Sequence, residues 1–326
     1  FHRCSNKSIR STRKGALEVK KILVSLFTSL VLIIAYTCNM SCRDVDNGEY
    51  MIHDVRIFKD TPVWELALAV QGQITSRIIK IVEENPLLIN YKEPKYGSTL
   101  LLWAVGMEKY KSADALLKCG ADPNISTYEG KTPLFIAAGF SWVDRVAKKD
   151  PKYVKLLLRY GADPNKYYTG IPGEKTFIEV GTSPLMESIG CGIEKTKALV
   201  EAGADINYKT ESGLTAAITA LNMQGYFEYA HYLIVEKKAN VTEPFCIYLP
   251  LKFIDPALLT KLFYPVDLLR DWVFDLDSKE YKIKMEVVDE FARQGVNYWS
   301  TKIPESKLEQ IKKLYPNNWV EYSRKY

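Results

Sequence analysis

The sequence predicts an all-α solenoid in which helix–turn–helix units stack side by side. A motif of the form GADxN occurs three times, at residues 120–124, 161–165 and 203–207. Each copy follows a short amphipathic run, namely ADALLKC, YVKLLLRY and TKALVEA. A second recurring segment begins with Thr or Ser and reaches a small or apolar stretch; Thr99 and Thr132 are 33 residues apart, and Ser183 and Thr215 are 32 apart. A unit of this length cannot bury its apolar face alone, so neighbouring units must stack.

The first helix of each unit has a well-specified start. Hydroxyl residues that can cap the first free N–H groups stand at Thr99, Thr132, Ser183 and Thr215. Pro133 and Pro184 then fall in the first turn, where a missing N–H costs nothing. Small residues, which let adjacent first helices approach closely, follow at Ala104, Ala137 and Ala220.

The second helix of each unit has an equally clear end. Glycines that can adopt a left-handed conformation stand just past it, at Gly120, Gly161 and Gly203. Pro123 and Pro164 forbid continuation of the helix. Each motif closes on an asparagine, at Asn124, Asn165 and Asn207.

These motifs and their spacing resemble the ankyrin repeat, whose period is ~33 residues. The resemblance implies helix–turn–helix repeats with β-hairpin fingers, and a helical C-terminal cap. It also implies a non-catalytic scaffold that binds a protein through its concave face and finger tips. Phe135, Met186 and Ala217 stand where the family commonly has histidine, so apolar packing must replace the usual threonine–histidine bond.

The pattern sets the predicted boundaries. Residues 43–62 are expected to be a tether, and residues 63–244 to be the repeats, beginning with a divergent first repeat that has Ala69 in the small position. Residues 245–326 are expected to be helical, as degenerate repeats and a cap, because GVNY at residues 295–298 follows a helical run.

Two insertions interrupt the third repeat, because Thr132 and Ser183 are 51 residues apart. One lies near residues 140–149, where Trp142 is expected in the core, and one lies in the finger at residues 166–181. The finger aromatics either contact a partner or pack back on the next repeat. From the finger positions, the expected partner contacts are Tyr91, Tyr128, Tyr167, Tyr168, Phe177 and Tyr208.

The N-terminal residues 1–42 predict an upstream segment followed by a signal or anchor. The basic pair Lys20-Lys21 precedes an apolar run at residues 22–36, and residues 22–42 contain no charged side chain. The end of this run resembles a bacterial lipoprotein signal, with Cys38 and Cys42 as the lipidation candidates. A cleaved signal or a retained membrane helix is the alternative. Residues 1–18 look like sequence upstream of the start, and Val19 is a plausible initiator. Export to the bacterial cell envelope follows, periplasmic or lipid-anchored, with membrane contact only through this segment.

The charge distribution and the residue types limit the classes of function that the protein can have. The net charge of +5 divides into +6 in residues 1–21 and −1 in the rest, which argues against a nucleic-acid partner. No catalytic, cofactor-binding or metal-binding motif is recognisable, and no small-molecule substrate is expected. The predicted function is an envelope scaffold for a protein partner. An inhibitor or immunity-type protein that neutralises a toxin or enzyme is one alternative, and an enzyme with a site in residues 245–326 is another.

Overall fold

The computed structural model describes residues 50–170, 178–222, 224–246 and 261–326. The predictions made for residues 1–49, among them lipidation at Cys38 or Cys42, lie outside these residues, and so does the contact predicted for Phe177. Residues 50–326 form one compact unit, and the description below concerns that unit alone.

Five helix pairs follow one another along the chain, each with an inner and an outer helix. The inner helices are α1 Trp64–Gln71, α3 Leu100–Gly106, α5 Pro133–Ala138, α7 Pro184–Glu187 and α9 Ala216–Leu221. The outer helices are α2 Thr75–Glu84, α4 Tyr110–Lys118, α6 Lys152–Arg159, α8 Ile193–Glu201 and α10 Phe227–Ala230, which continues as a π-helix, His231–Glu236. The predicted stack of helix pairs is confirmed.

The inner helices start where the sequence predicts. The hydroxyl oxygens of Thr99, Thr132, Ser183 and Thr215 accept hydrogen bonds from the backbone N–H three residues later, at 3.2, 3.1, 3.1 and 3.1 Å. Such a cap stabilises a helix by about 1 kcal/mol. The predicted small residues Ala104 and Ala220 are fully buried, and Ala137 is half-buried.

The outer helices end at left-handed residues, also as predicted. Gly120, Gly161 and Gly203 have φ angles of 91°, 85° and 89°. In the fifth repeat Lys238 takes this place with a φ of 59°. A side chain at such a φ angle is strained, which explains why glycine holds the position in the three regular copies.

Asparagine side chains join successive repeats at the base of the fingers. The Oδ1 atoms of Asn90, Asn124, Asn165 and Asn207 each accept a hydrogen bond from a backbone N–H of the following repeat, at 2.8–2.9 Å. The Nδ2 groups of Asn124 and Asn165 also donate to the carbonyls of Gly161 and Gly203. The asparagine of the motif is therefore the residue that connects one repeat to the next.

The fingers at residues 127–131 and 210–214 are tight turns. The Thr127 N–H donates to the Lys131 carbonyl at 3.0 Å, and the Thr210 N–H donates to the Leu214 carbonyl at 3.0 Å. In the part of the chain that the structure describes, regular strands are limited to β1 Phe245–Cys246 and β2 Leu262–Phe263, which pair antiparallel.

A degenerate sixth helix pair follows β2. It consists of α11 Pro265–Leu269 and α12 Lys279–Arg293, and Gly295 closes α12 with a φ of 84°. Thr242 stands where earlier repeats have the linking asparagine. Here the link is made by a side chain of the following helix pair. Gln294 donates to the Ala239 carbonyl at 3.0 Å and accepts from the Val241 N–H at 3.2 Å.

Two further helices, α13 Glu305–Leu314 and α14 Trp319–Lys325, pack against the sixth pair. Their small core joins Val273, Ile311, Tyr322 and Tyr326. Trp272 is fully buried, and its indole N–H donates to the Leu221 carbonyl at 3.0 Å. The tail therefore packs directly on the inner helix of the fifth repeat.

The predicted tether at residues 43–62 is wrong for its described part. Val55–Phe58 forms a 3₁₀ helix whose Val55, Ile57 and Phe58 are buried against α1. Sequence periodicity could not indicate this role, because four residues are too few to show a helical period.

Across residues 50–170, 178–222, 224–246 and 261–326, no helix has both the length and the apolar character needed to cross a membrane.

Candidate protein-binding surface

The exposed face of the inner helices carries one equivalent position in each repeat, four residues after the helix cap. Trp103, Ile136, Glu187 and Thr219 hold this position in repeats two to five. Outer helices cover the opposite side, so these four side chains point toward the concave surface. Ile136, Glu187 and Thr219 are half-buried, whereas Trp103 is only 1% exposed.

Trp103 is covered by residues 50–58, which we call the strap. The indole N–H of Trp103 donates to the His53 carbonyl at 3.2 Å. The Tyr50 carbonyl accepts from the Tyr96 hydroxyl at 3.0 Å and from the Lys95 ammonium at 3.3 Å. Because the strap contacts both an inner helix and a finger, it fills the concave surface of the second repeat.

Glu187 lies on the concave surface, and its carboxyl group is in a partly buried environment. Its carboxylate lies against Gly139, where an added Cβ atom would come within 2.5 Å of Oε1. Burial raises the pKa of the Glu187 carboxyl to about 7, against the opposing effect of the Lys131 and Lys195 cations. Near neutral pH this group can therefore either donate or accept a hydrogen bond.

Lys195 explains how the first insertion is tolerated. Its ammonium donates to the carbonyls of Ala137, Ala138 and Gly139 at 2.8, 3.4 and 3.3 Å. These carbonyls lie at the C-terminal end of α5, where the insertion begins and helix carbonyls have no intrahelical partner. Burial lowers the pKa of Lys195.

Of the predicted finger contacts, Tyr128 is the most accessible. Its side chain is 57% exposed, and Lys92 lies over its ring at 4.8 Å. Its backbone N–H donates to the Tyr96 carbonyl of the previous finger at 2.9 Å. Tyr128 is thus an exposed aromatic group on a fixed backbone.

Tyr167, Tyr208 and Tyr91 are partly buried. The rings of Tyr167 and Tyr208 stack at 3.8 Å between neighbouring fingers, with planes 11° apart. Tyr91 packs against the main core. Each of these residues leaves part of a ring accessible, so the predicted contacts remain a proposal.

Tyr168 requires a correction, because it is a core residue. It is 1% exposed and stacks on Phe135 at 5.8 Å. Its backbone exchanges hydrogen bonds with Thr182 and Gly181, which fold the described ends of the long finger onto each other. Glu179 then links this finger to the next one by accepting from the Ser212 N–H and hydroxyl at 2.8 and 2.7 Å. Of the two alternatives for the finger aromatics, packing back applies to Tyr168.

The sequence reasoning missed the strap, Lys195 and Glu187. A periodic signal existed only for Glu187, because it stands four residues after a cap, as Ile136 and Thr219 do. Trp142, expected in the core, is half-buried and packs on Gly106.

Chemistry-bearing groups are scattered over the described residues. These residues contain no group of three or more His, Cys, Asp or Glu side chains that could hold a metal ion. His231 lies 2.6 Å from Glu286, an interaction that links the fifth and sixth helix pairs. Burial raises the pKa of the Cys191 thiol to about 12, which keeps it protonated and unreactive.

Comparison with known proteins agrees with the geometry. The family profile described as "Ankyrin repeats (3 copies)" matches residues 145–244, and the profile described as "Ankyrin repeat" matches residues 96–128. A crystal structure of EF0377, an ankyrin repeat protein, is similar at 21% identity with a TM-score of 0.46, over 71% of this chain and 98% of that one. No curated protein matches the chain. The chain therefore contains ankyrin repeats, which indicate a protein–protein interaction scaffold.

Proposed function

We propose that the protein binds a protein partner on the concave surface of repeats three to five and on the adjacent finger tips. The observation that carries this proposal is the contrast at the equivalent inner-helix positions. The strap covers Trp103, whereas Ile136, Glu187 and Thr219 are only half-buried among the described residues. A partner would find an apolar side chain at Ile136, an exposed aromatic ring at Tyr128, and a carboxyl group at Glu187 that can hold a proton.

The test is capture of partners with the full chain as bait. Ile136→Arg places a charge at the centre of the open surface and is expected to abolish capture of the partner, because desolvating an unpaired charge is costly. Tyr128→Ala is expected to weaken capture about tenfold. Leu87→Arg is the matched control, because Leu87 is 89% exposed outside the proposed surface. Capture that survives Ile136→Arg and Tyr128→Ala together would disprove the proposed site.

The proposal places this scaffold in the cell envelope. Support comes from the uncharged stretch at residues 22–42, which follows Lys20-Lys21 and contains Cys38 and Cys42. Metabolic labelling with a palmitate analogue, followed by membrane fractionation, tests this. Label is expected on the wild type and is expected to disappear in either Cys38→Ser or Cys42→Ser. A protein found unlabelled in the cytosol would overturn the envelope assignment while leaving the binding surface intact.

A further inference from the structure

The first insertion in the third repeat folds into a small closed loop, residues 140–147. A β-bridge pairs Phe140 with Ala147, and the Ser141 N–H donates to the Val146 carbonyl at 3.1 Å. The Ser141 hydroxyl oxygen accepts from the Val143 N–H at 3.1 Å. The loop thus has a defined shape.

The loop is held firmly on the edge of the stack where inner helices turn into outer helices. Trp142 lies on Gly106 so closely that an added Cβ atom would come within 2.3 Å of the indole ring. Ser141 hydrogen bonds to Glu108, and the Lys149 backbone lies against Gly192. The turns of the second and fourth repeats therefore support the insertion from both sides.

The outward side of this loop is apolar. Phe140, Val143 and Val146 are 49%, 55% and 51% exposed. Three large apolar side chains exposed within seven residues form an unusual concentration for a protruding loop, because exposed apolar residues are normally scattered singly.

The segments next to the apolar tip are rich in cationic side chains. The loop and the adjoining helix starts, residues 106–112 and 140–152, contain the three acidic residues Glu108, Asp144 and Asp150. They contain six basic residues, namely Lys109, Lys111, Arg145, Lys148, Lys149 and Lys152. The two segments are contiguous in space, because Tyr110 meets Tyr153 edge-on at 5.3 Å. The patch carries net +3, and since residues 22–326 carry −1, the remainder of that range carries −4.

We propose that this patch docks on an anionic lipid bilayer, with Phe140, Val143 and Val146 in the interface and the surrounding cations above the headgroups. An apolar tip ringed by Lys and Arg is the arrangement that favours membrane surfaces. A small convex tip buries little area on a folded protein, whereas a fluid interface closes around it. The proposal is independent of partner binding on the concave surface, which lies on a different side of the inner helices.

Hydrogen–deuterium exchange on the full chain tests the proposal. The protein is mixed with vesicles of phosphatidylcholine, or of phosphatidylcholine with phosphatidylglycerol. Association through residues 1–42, of which residues 1–21 carry +6, can itself differ between the two vesicles, so the patch is reported by local exchange at residues 140–149 and not by overall binding. Slower exchange at residues 140–149 is expected only with the anionic vesicles, and added salt should reduce it.

Two variants decide the outcome. The triple variant Phe140→Ser, Val143→Ser, Val146→Ser is expected to raise the anionic-vesicle concentration needed for half-maximal protection at least about tenfold. Leu87→Ser changes an apolar side chain that is 89% exposed and lies outside the loop, and this variant should leave that concentration unchanged. Unaltered exchange in the helices would show that both variants are folded. Equal protection by both vesicles, or none, would overturn the proposal. Protection by polyglutamate without protection by anionic vesicles would overturn it too, and would assign the patch to an acidic protein.

Discussion

The repeats and the C-terminal helices are joined by different chemistry. Between repeats, short asparagine side chains at the exposed finger bases make the same bonds four times over. In the C-terminal region, long cationic side chains make the connections from within. Arg270, which is 3% exposed, donates to the Tyr298 carbonyl and the Thr301 hydroxyl at 2.9 Å each, and to the Tyr326 carbonyl.

Lys284 adds a second buried basic side chain to that region. Its amino group donates to the Trp272 carbonyl at 2.9 Å and lies 3.7 Å from the centre of the Tyr326 ring. The junctions that recur between repeats rely on hydrogen bonds of short side chains that stay solvated. A junction that occurs once can use buried basic groups, and their desolvation makes its stability sensitive to substitution and pH.

The largest effect is expected from pH acting on Lys284. Burial, together with the Arg270 cation, lowers the pKa of Lys284 to about 6, while Asp271 opposes the shift. The unfolded chain therefore binds a proton at Lys284 below pH ~10.4, whereas the folded protein binds it only near pH 6 and below. Lys284 does not reduce the free energy of unfolding above pH ~10.4, and it reduces this free energy increasingly as the pH falls toward 6. Between pH 9 and pH 6 the wild type should lose about 4 kcal/mol relative to Lys284→Met.

Urea unfolding of both proteins across that pH range gives the measurement. Lys282→Met, on the exposed side of α12, is the control and should follow the wild type. A difference between wild type and Lys284→Met that stays constant over the range would show that the folded protein keeps Lys284 protonated, so that burial does not lower its pKa as argued.

Removing the Arg270 guanidinium should have the next largest effect. Arg270→Met leaves the buried Tyr298 and Tyr326 carbonyls without this donor and is expected to reduce the unfolding free energy by about 3 kcal/mol. Amide exchange should accelerate in α12 to α14 and not in α3 to α6. Uniform acceleration throughout would mean that the two regions unfold as one and would break the comparison.

A junction between repeats should be weaker. Asn165→Ala removes the bonds to the Gly203 carbonyl and the Asp205 N–H, at 3.0 and 2.8 Å, and is expected to cost about 1–2 kcal/mol. Asn207→Ala removes the acceptor of the Asn240 N–H and should cost about half as much. Chemical denaturation ranks the two. A loss at Asn165 as large as that at Arg270 would contradict the distinction drawn between the junctions.

The smallest effect is expected at the stacked finger tyrosines. Their ring contact should be worth about 1 kcal/mol. A double-mutant cycle with Tyr167→Ala and Tyr208→Ala measures this coupling free energy. If the coupling is absent, the two rings are held in place by their own fingers and do not join the repeats.

The repeated features could be predicted from the sequence because their causes are local. A hydroxyl cap acts three residues along the chain, as at Thr132, and a left-handed glycine acts at its own position, as at Gly161. Both interactions are set by backbone neighbours and recur with each repeat. The helix pairs, their starts and ends, and the two insertions therefore followed from the printed residues.

Only the tertiary structure decided which side chains of the inner helices and fingers are buried and which remain exposed. Trp103 meets His53 across 50 residues of sequence, and Lys195 reaches the Ala137 carbonyl across 58. Neither contact recurs along the chain, so no periodic sequence pattern indicates it. The same limit explains Tyr168, whose exposure depends on how a long finger folds back onto Phe135. The sequence by itself determined a stack of ankyrin repeats. Burial by distant segments, which depends on packing between residues far apart in the chain, decided which of the described inner-helix and finger side chains remain accessible.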